Sequence, residues 1–213
     1  CDKSRFAPLG SAELIGATDL NPARRAAAEA LGLKWYDSAQ ALLADPAVDA
    51  VFVATNNRTH AALAQEALEA GKAVIVEKPL AATGADAAKL VELARAKKLP
   101  LSVDHMMVNN EYNRAARKLI ADGALGTVND ACFHMEFAYG YDPAEAATWR
   151  CSRWDEVGGP IGDVASHCFY MAEYLFNAEI TGLAAVYLPK LMNITVEDGA
   201  YIKFGMANGI TAS

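Results

Sequence analysis

Two stretches of the chain carry side chains suited to acid-base work. Glu77-Lys78-Pro79 puts a carboxylate, an amine and a proline at the end of the apolar run Ala73-Val74-Ile75-Val76, and Asp163 and His167 stand four residues apart after Gly158-Gly159-Pro160-Ile161-Gly162. Residues four apart on a helix share a face, so a carboxylate at 163 can hold an imidazole at 167 in one orientation. Imidazole titrates near neutrality, as a general base for an alcohol must. Glycines at the entry to such a helix let the backbone approach a ligand closely. A plainer reading stands beside each pair: solvated charges at a strand end, and an ordinary surface contact.

A second polar cluster, Asn56-Asn57-Arg58-Thr59-His60, closes the apolar run Val48 to Thr55. Open α/β sheets bind ligands at the carboxyl ends of their strands, so two adjacent buried strands with polar ends suggest a built site. Asp19, after the run Glu13 to Thr18, has the place of an acid that accepts hydrogen bonds from ribose hydroxyls. Its charge would repel a 2′-phosphate and favour NAD over NADP; the alternative is a simple helix cap. Trp149-Arg150 and Arg153-Trp154 offer rings that stack on sugar faces and guanidinium groups that bond hydroxyls, or else anchors for a loop. His134, Met106 and Met107 read as core or interface residues, and no metal-ligand spacing is present.

Strands must end where these polar clusters begin. The pattern predicts strands at Glu13 to Asp19, Lys34 to Tyr36, Val48 to Thr55, Ala73 to Glu77 and Leu99 to Val103. Between them it predicts helices from Asn21-Pro22 to Leu31, from Asp37-Ser38 to Leu43, from Thr59 to Ala70 and from Thr83-Gly84 to Lys98. The Ala73 to Glu77 run, unbroken and β-branched, reads as a strand buried on both faces. Strand and helix alternating in this way give a Rossmann-like, doubly wound parallel sheet of class α/β. After Asp104 the rhythm changes. A helix from about Asn110 to Ala121 and another from Ile161 to Phe176 accompany strands at Val128 to Phe137, Leu183 to Leu188, Gly199 to Phe204 and Gly209 to Ala212. Such strands imply an α+β domain with a mainly antiparallel sheet. The expected division is a dinucleotide-binding domain over 1–104 and a substrate and oligomerisation domain over 105–213.

The glycine turn of a dinucleotide fold precedes its ribose acid by about 20 residues. Counting back from Asp19 reaches Cys1, and GxGxxG is absent from the sequence. Either this is another fold, or the chain begins after the first strand and phosphate loop, with Lys3 to Gly10 as the rest of the first helix. The order of strands supports the second reading. A chain without that loop is expected to bind dinucleotide weakly by itself.

With 53% hydrophobic and 21% charged residues the composition is globular, and no apolar run approaches a membrane span. The formal charge of −7, without a long basic run, makes nucleic acid an improbable partner and small molecules better ones. Cys1, Cys132, Cys151 and Cys168 are too scattered for a zinc site or a disulfide framework, and reduced thiols in a cytoplasm are expected.

Taken together, Thr55-Asn56-Asn57-Arg58-Thr59-His60, Glu77-Lys78-Pro79 and Gly158-Gly159 leading to Asp163 and His167 resemble the glucose-fructose oxidoreductase / inositol dehydrogenase (Gfo/Idh/MocA) family. The similarity runs over nearly the whole chain. It implies nicotinamide-dependent oxidation or reduction of a sugar, cyclitol or related polyol, and a C-terminal sheet often used to form oligomers. By that resemblance Lys78 sits between nicotinamide and the reacting hydroxyl, Asp163 positions substrate and His167 is the base. Thr55, Asn56, Asn57, His60 and Glu77 would belong to the cofactor site. Asn56 stands where the family usually has proline, and the family's arginine after the last Rossmann strand is missing, so His105 and Asn109 are candidates to serve in its place. Trp149 and Arg150 complete the expected substrate residues. The chain also stops at Ser213, in what would be the middle of the second sheet. Two rivals remain: an NAD-dependent glycosidase of the same family, and a Rossmann-type sensor without catalysis.

Overall fold

The computed structural model describes residues 12–213, so Cys1 and the expected helix remnant at Lys3 to Gly10 lie outside the described residues. Two compact units make up the chain. One contains the described residues up to Thr55 together with Thr59–Val103, and the other contains Asn56–Arg58 and Asp104–Ser213.

In the first unit, β1 (Gly16–Ala17) pairs in parallel with β2 (Lys34–Trp35), while β3 (Ala50–Val53), β4 (Ala73–Glu77) and β5 (Leu101–Asp104) form a second sheet in that order. β3 and β4 are parallel, with Val53 opposite Val76. Among the described residues no strand joins the two sheets. The helices are α1 (Arg25–Ala30), α2 (Ala39–Leu43), α3 (Asn57–Glu69) and α4 (Gly84–Lys97). Local chemistry sets several of their ends. Ser38 Oγ accepts from the Ala41 N–H and Thr83 Oγ1 from the Asp86 N–H, each relieving an orphan donor of a first turn. Gly71, at φ +78°, follows α3 in the left-handed region that glycine adopts without strain.

β4 spans the residues its apolar run predicts, because alternate side chains have a core to enter. Val53, Val74 and Val76 pack against Leu68 of α3 and Leu90 of α4, and burying each contributes about 1.5–3 kcal/mol. Phe52 and Ile75 point to the other face and are 42% and 45% exposed. The expectation of a strand buried on both faces is thus corrected for the described residues. Both α3 and α4 contribute to the core on the valine side, leaving the opposite face of this Rossmann-type parallel sheet partly open.

The second unit holds a four-stranded sheet in the order β6 (Asp130–Ala131), β9 (Thr211–Ala212), β8 (Ala200–Met206), β7 (Ile180–Tyr187). It is mixed. β7, β8 and β9 are antiparallel neighbours, but β6 runs parallel to β9. The strand expected over Val128 to Phe137 is limited to Asp130–Ala131, which pairs with Thr211–Ala212, and the Phe133 N–H donates onward to the Ser213 carbonyl at 2.7 Å. α5 (Glu111–Ala121) starts at an Asn110 cap, and its Arg117 guanidinium lies 4.5 Å over the ring of Tyr174. Tyr174 belongs to α8 (Ser166–Phe176), which buries Ala172 against Phe204, Met206 and Ala212. Between these stand two helices that the sequence pattern did not predict, α6 (Pro143–Ala146) and α7 (Trp149–Ser152), each too short to show a period. On the sheet's outer surface Val186 pairs with Tyr201, 70% and 74% exposed.

The expected helix from Ile161 to Phe176 is two structures in series. Pro160–Ala165 is a π-helix, and α8 continues from Ser166. Such wide turns recur at functional sites.

Candidate active site

β3 and β4 are adjacent and parallel, so their carboxyl ends deliver Thr55 and Glu77-Lys78 to the same edge of the sheet. Thr55 is exposed, Glu77 and Lys78 are half-buried, and the Thr55 and Thr59 hydroxyl oxygens lie 2.7 Å apart. The Lys78–Pro79 peptide is cis. His60, in the second turn of α3, is fully buried. Its Nδ1 lies 2.8 Å from the Pro79 carbonyl oxygen and its Nε2 3.0 Å from that of Thr55. One ring therefore lies between the ends of both strands, and whichever nitrogen carries the proton donates to its main-chain carbonyl. Asp19, exposed after β1, accepts the Asn21 N–H at 2.7 Å, and Asn21 in turn caps the short helical turn Pro22–Arg24.

In the second unit, Asn56 is exposed and Asn57 is buried. The Asn57 amide donates to the main-chain carbonyl of Glu156 at 2.7 Å. The Glu156 side chain is 1% exposed and accepts the Arg58 N–H at 3.0 Å through Oε2, while Oε1 lies 3.0 Å from Arg58 Nε. A carboxylate removed from water is costly unless it is paired and hydrogen-bonded, and here both oxygens are met.

The residues expected to bind substrate fall in two groups within this unit. Asp163, in the π-helix, accepts from Arg150 Nε at 3.1 Å, and the Arg150 guanidinium lies 4.4 Å over the Trp149 ring. The carboxylate expected to orient an imidazole thus has an arginine as one of its partners. With Arg150 half-exposed, the ion pair adds little stability, so its consequence is orientation. In the other group, His105 stacks on Tyr170 at 4.0 Å and meets the His167 ring edge-on at 5.7 Å. His167 occupies the first turn of α8, with Nδ1 buried. Asn109 ends the 3-10 turn Met106–Asn109 and is exposed.

What starts the Asp163 segment is another buried acid. Glu197 is 7% exposed and accepts the Ile161 N–H at 2.8 Å. Gly159 lies directly beneath it at φ +88°, and a Cβ there would collide with both carboxylate oxygens. Asp198, next in sequence, closes the loop between β7 and β8 by accepting the Leu191 and Met192 N–H groups, with Lys190 Nζ at 3.1 Å. Burial pushes its carboxyl upward, but the two N–H groups and the Lys190 ammonium outweigh that and hold it below the usual carboxylate range.

Glu156, Tyr170 and Glu197 were not singled out by sequence reasoning, and Arg58 entered only as a member of the polar cluster 56–60. Glu156, two residues before Gly158-Gly159, had position as its only signal; Glu197 had none.

Comparison with known proteins accounts for both units. A family model described as "Oxidoreductase family, NAD-binding Rossmann fold" matches residues 3–105, and the "GFO/IDH/MocA C-terminal domain" matches residues 113–213. A 1,5-anhydro-D-fructose reductase of Ensifer adhaerens is 33% identical over 84% of this chain and 53% of its own length. The D-xylose 1-dehydrogenase (NADP(+)) of Hypocrea jecorina is 46% identical over 46% of this chain and 25% of its own. Among solved structures, an aldose-aldose oxidoreductase from Caulobacter crescentus complexed with glycerol superposes with a TM-score of 0.83 at 26% identity, covering 99% of this chain and 61% of the other. The chain spans about half the length of the curated relatives it matches first.

Proposed function

This chain belongs to the Gfo/Idh/MocA oxidoreductase family, and on that premise we propose that the protein oxidises or reduces a sugar, cyclitol or related polyol with NAD. The observation that carries this reading is that its ionisable candidates stand on rigid supports: Lys78 at the carboxyl end of β4, and His167 in the first turn of α8. The residues fit a dinucleotide where they are described. Exposed Asp19 offers a carboxylate to ribose hydroxyls, and within the same unit exposed Thr55 and half-buried Glu77 and Lys78 follow the carboxyl ends of two adjacent parallel strands. His60 contributes by bracing Thr55 and Pro79 rather than by touching the cofactor. The bound nicotinamide would supply the hydride acceptor or donor.

In this reading His167 takes the hydroxyl proton, while the Lys78 ammonium stabilises the alkoxide that forms. Asp163, with Arg150 fixing its carboxylate, orients a neighbouring hydroxyl. Trp149, His105 and Asn109 complete the polyol site. A preference for NAD over NADP follows from the Asp19 charge. Cytoplasmic residence is supported by the free thiols of Cys132, Cys151 and Cys168, and association through the C-terminal sheet by the exposed Val186 and Tyr201 pair.

Turnover of a panel of sugars and cyclitols by the full-length protein with NAD and with NADP tests this reading. Lys78→Ala and His167→Ala should each lower kcat by about a hundredfold or more. Net NADH formation on a simple polyol supports a dehydrogenase. Release of a sugar from a glycoside without net NADH would make it a glycosidase, and cofactor binding with no turnover of either kind would make it a sensor.

A further inference from the structure

Glu156 and the turn it holds point beyond the residues assigned so far. Asn56–Arg58 follows Thr55 directly in sequence, yet it packs with the unit that carries Asp163 and His167. Three hydrogen bonds or ion-pair contacts fix it there. The Asn57 amide donates to the Glu156 carbonyl, the Arg58 N–H donates to Glu156 Oε2, and Arg58 Nε lies against Glu156 Oε1. Asp155 adds a looser contact, 3.4 Å from Arg58 Nη1. Residues 56–58 and 156 are 98 residues apart at the Arg58 N–H bond, so this is no local turn motif.

The ion pair is asymmetric in exposure. Arg58 is 49% exposed at its side chain while Glu156 is 1% exposed. A half-exposed arginine alone is a weak anchor, but a carboxylate taken wholly out of water has no solvent to replace a lost partner. The carboxylate therefore has one favourable arrangement, with Arg58 and its own main-chain N–H in place. Three residues after Glu156 the chain reaches Gly159 and then the π-helix bearing Asp163. A displacement at Glu156 thus reaches the Asn56–Arg58 turn by hydrogen bonds and the Asp163 segment along the main chain.

We propose that Glu156 is a positioning residue for hydride transfer: its buried carboxylate fixes the Asn56–Arg58 turn in one register with the helix that carries Asp163 and His167. It touches neither substrate nor cofactor. The inference rests on the oxidoreductase reading above, in which Asn56 and Asn57 belong to the nicotinamide side and Asp163 and His167 to the substrate side. A loosened register would lengthen the distance over which hydride moves, and misplacement by about an ångström is enough to cost on the order of a hundredfold in rate.

The test uses the full-length protein with NAD, its best polyol substrate, and that substrate carrying deuterium at the oxidised carbon. Glu156→Gln keeps size and one acceptor oxygen but removes the charge; Arg58→Gln removes the guanidinium from the exposed side and leaves Glu156 intact. Both variants should lower kcat about tenfold or more, raise the KM for NAD several-fold, and increase the primary deuterium isotope effect on kcat as hydride transfer becomes slower than product release. Fewer folded molecules would lower kcat alone, leaving KM and the isotope effect at wild-type values. That result, in either variant that yields soluble enzyme, overturns the proposal. Should Glu156→Gln fail to fold, Arg58→Gln decides by the same readout. Wild-type protein that turns over no polyol with NAD or NADP would overturn the oxidoreductase reading and this inference with it, whereas active wild type with kinetically silent variants removes only the inference.

Discussion

α4 and the segment beginning at Pro160 both start with an oxygen that accepts a main-chain N–H, but the oxygen comes from different places. For α4 it is Thr83, the residue just before the helix. For Ile161 it is Glu197, 36 residues later and nearly fully buried. The Arg58 N–H follows the second pattern, through Glu156. A local cap fixes where a helix begins. A distant buried cap also fixes where that beginning stands within its unit, which is what a chemical group on the first turns needs.

Gly159→Ala should break the second pattern most. The added Cβ enters space held by the Glu197 carboxylate, at a φ that L side chains rarely adopt, so Glu197 must leave the Ile161 N–H. The expected cost is on the order of 3 kcal/mol in unfolding free energy, measured from urea midpoints, together with loss of polyol turnover. A variant with wild-type stability and rate would show that the distant cap holds nothing. Thr83→Ala sharpens the other side. It should cost about 1 kcal/mol and leave kcat and KM unchanged, because only the start of α4 depends on it.

The smallest effect belongs to Asp198, whose carboxyl is held below its ordinary range once the N–H groups and Lys190 have overcome burial. A carboxyl depressed by folding contributes stability that is fully present above its unfolded value, about 3.9, and is lost as pH falls through the lower folded value. Asp198→Asn should therefore lower stability at neutral pH and flatten its decline below about pH 4. Parallel acid limbs for variant and wild type would mean that Asp198 titrates alike in both states.

Legibility followed the same division. β4 was readable because an unbroken apolar run ended by charge has few other fates, and α4 because Thr83, a helical apolar stripe and Lys98 mark it from end to end. Val128 to Phe137 has the composition of a strand, but composition alone does not say how much of it finds a paired neighbour, and only Asp130–Ala131 is a strand. Lys78, Asp163 and His167 were visible as residue types at meaningful spacings. Glu156 and Glu197 were not, since neither spacing nor periodicity announces a hydrogen bond to a residue 98 or 36 positions away. His60 was assigned to the cofactor site by family resemblance, and its burial against Thr55 and Pro79 becomes visible only when β3 and β4 lie side by side.

The π-helix at Pro160–Ala165 bears on how this stretch tolerates changes of length. A wide turn holds one residue more than an α turn, so deleting a residue such as Val164 can be absorbed by tightening six π-helical residues into ordinary α-helix. Folding would survive that edit, but each residue in an α-helix advances about 100° around the axis. Residues before the π-helix would keep their orientation, but Asp163, within it, would stand three positions before His167 instead of four and leave the face it occupies. The number of residues between Pro160 and His167 is thus constrained more tightly than their identities, and a single-residue gap here would separate chains that keep the fold from chains that keep the chemistry.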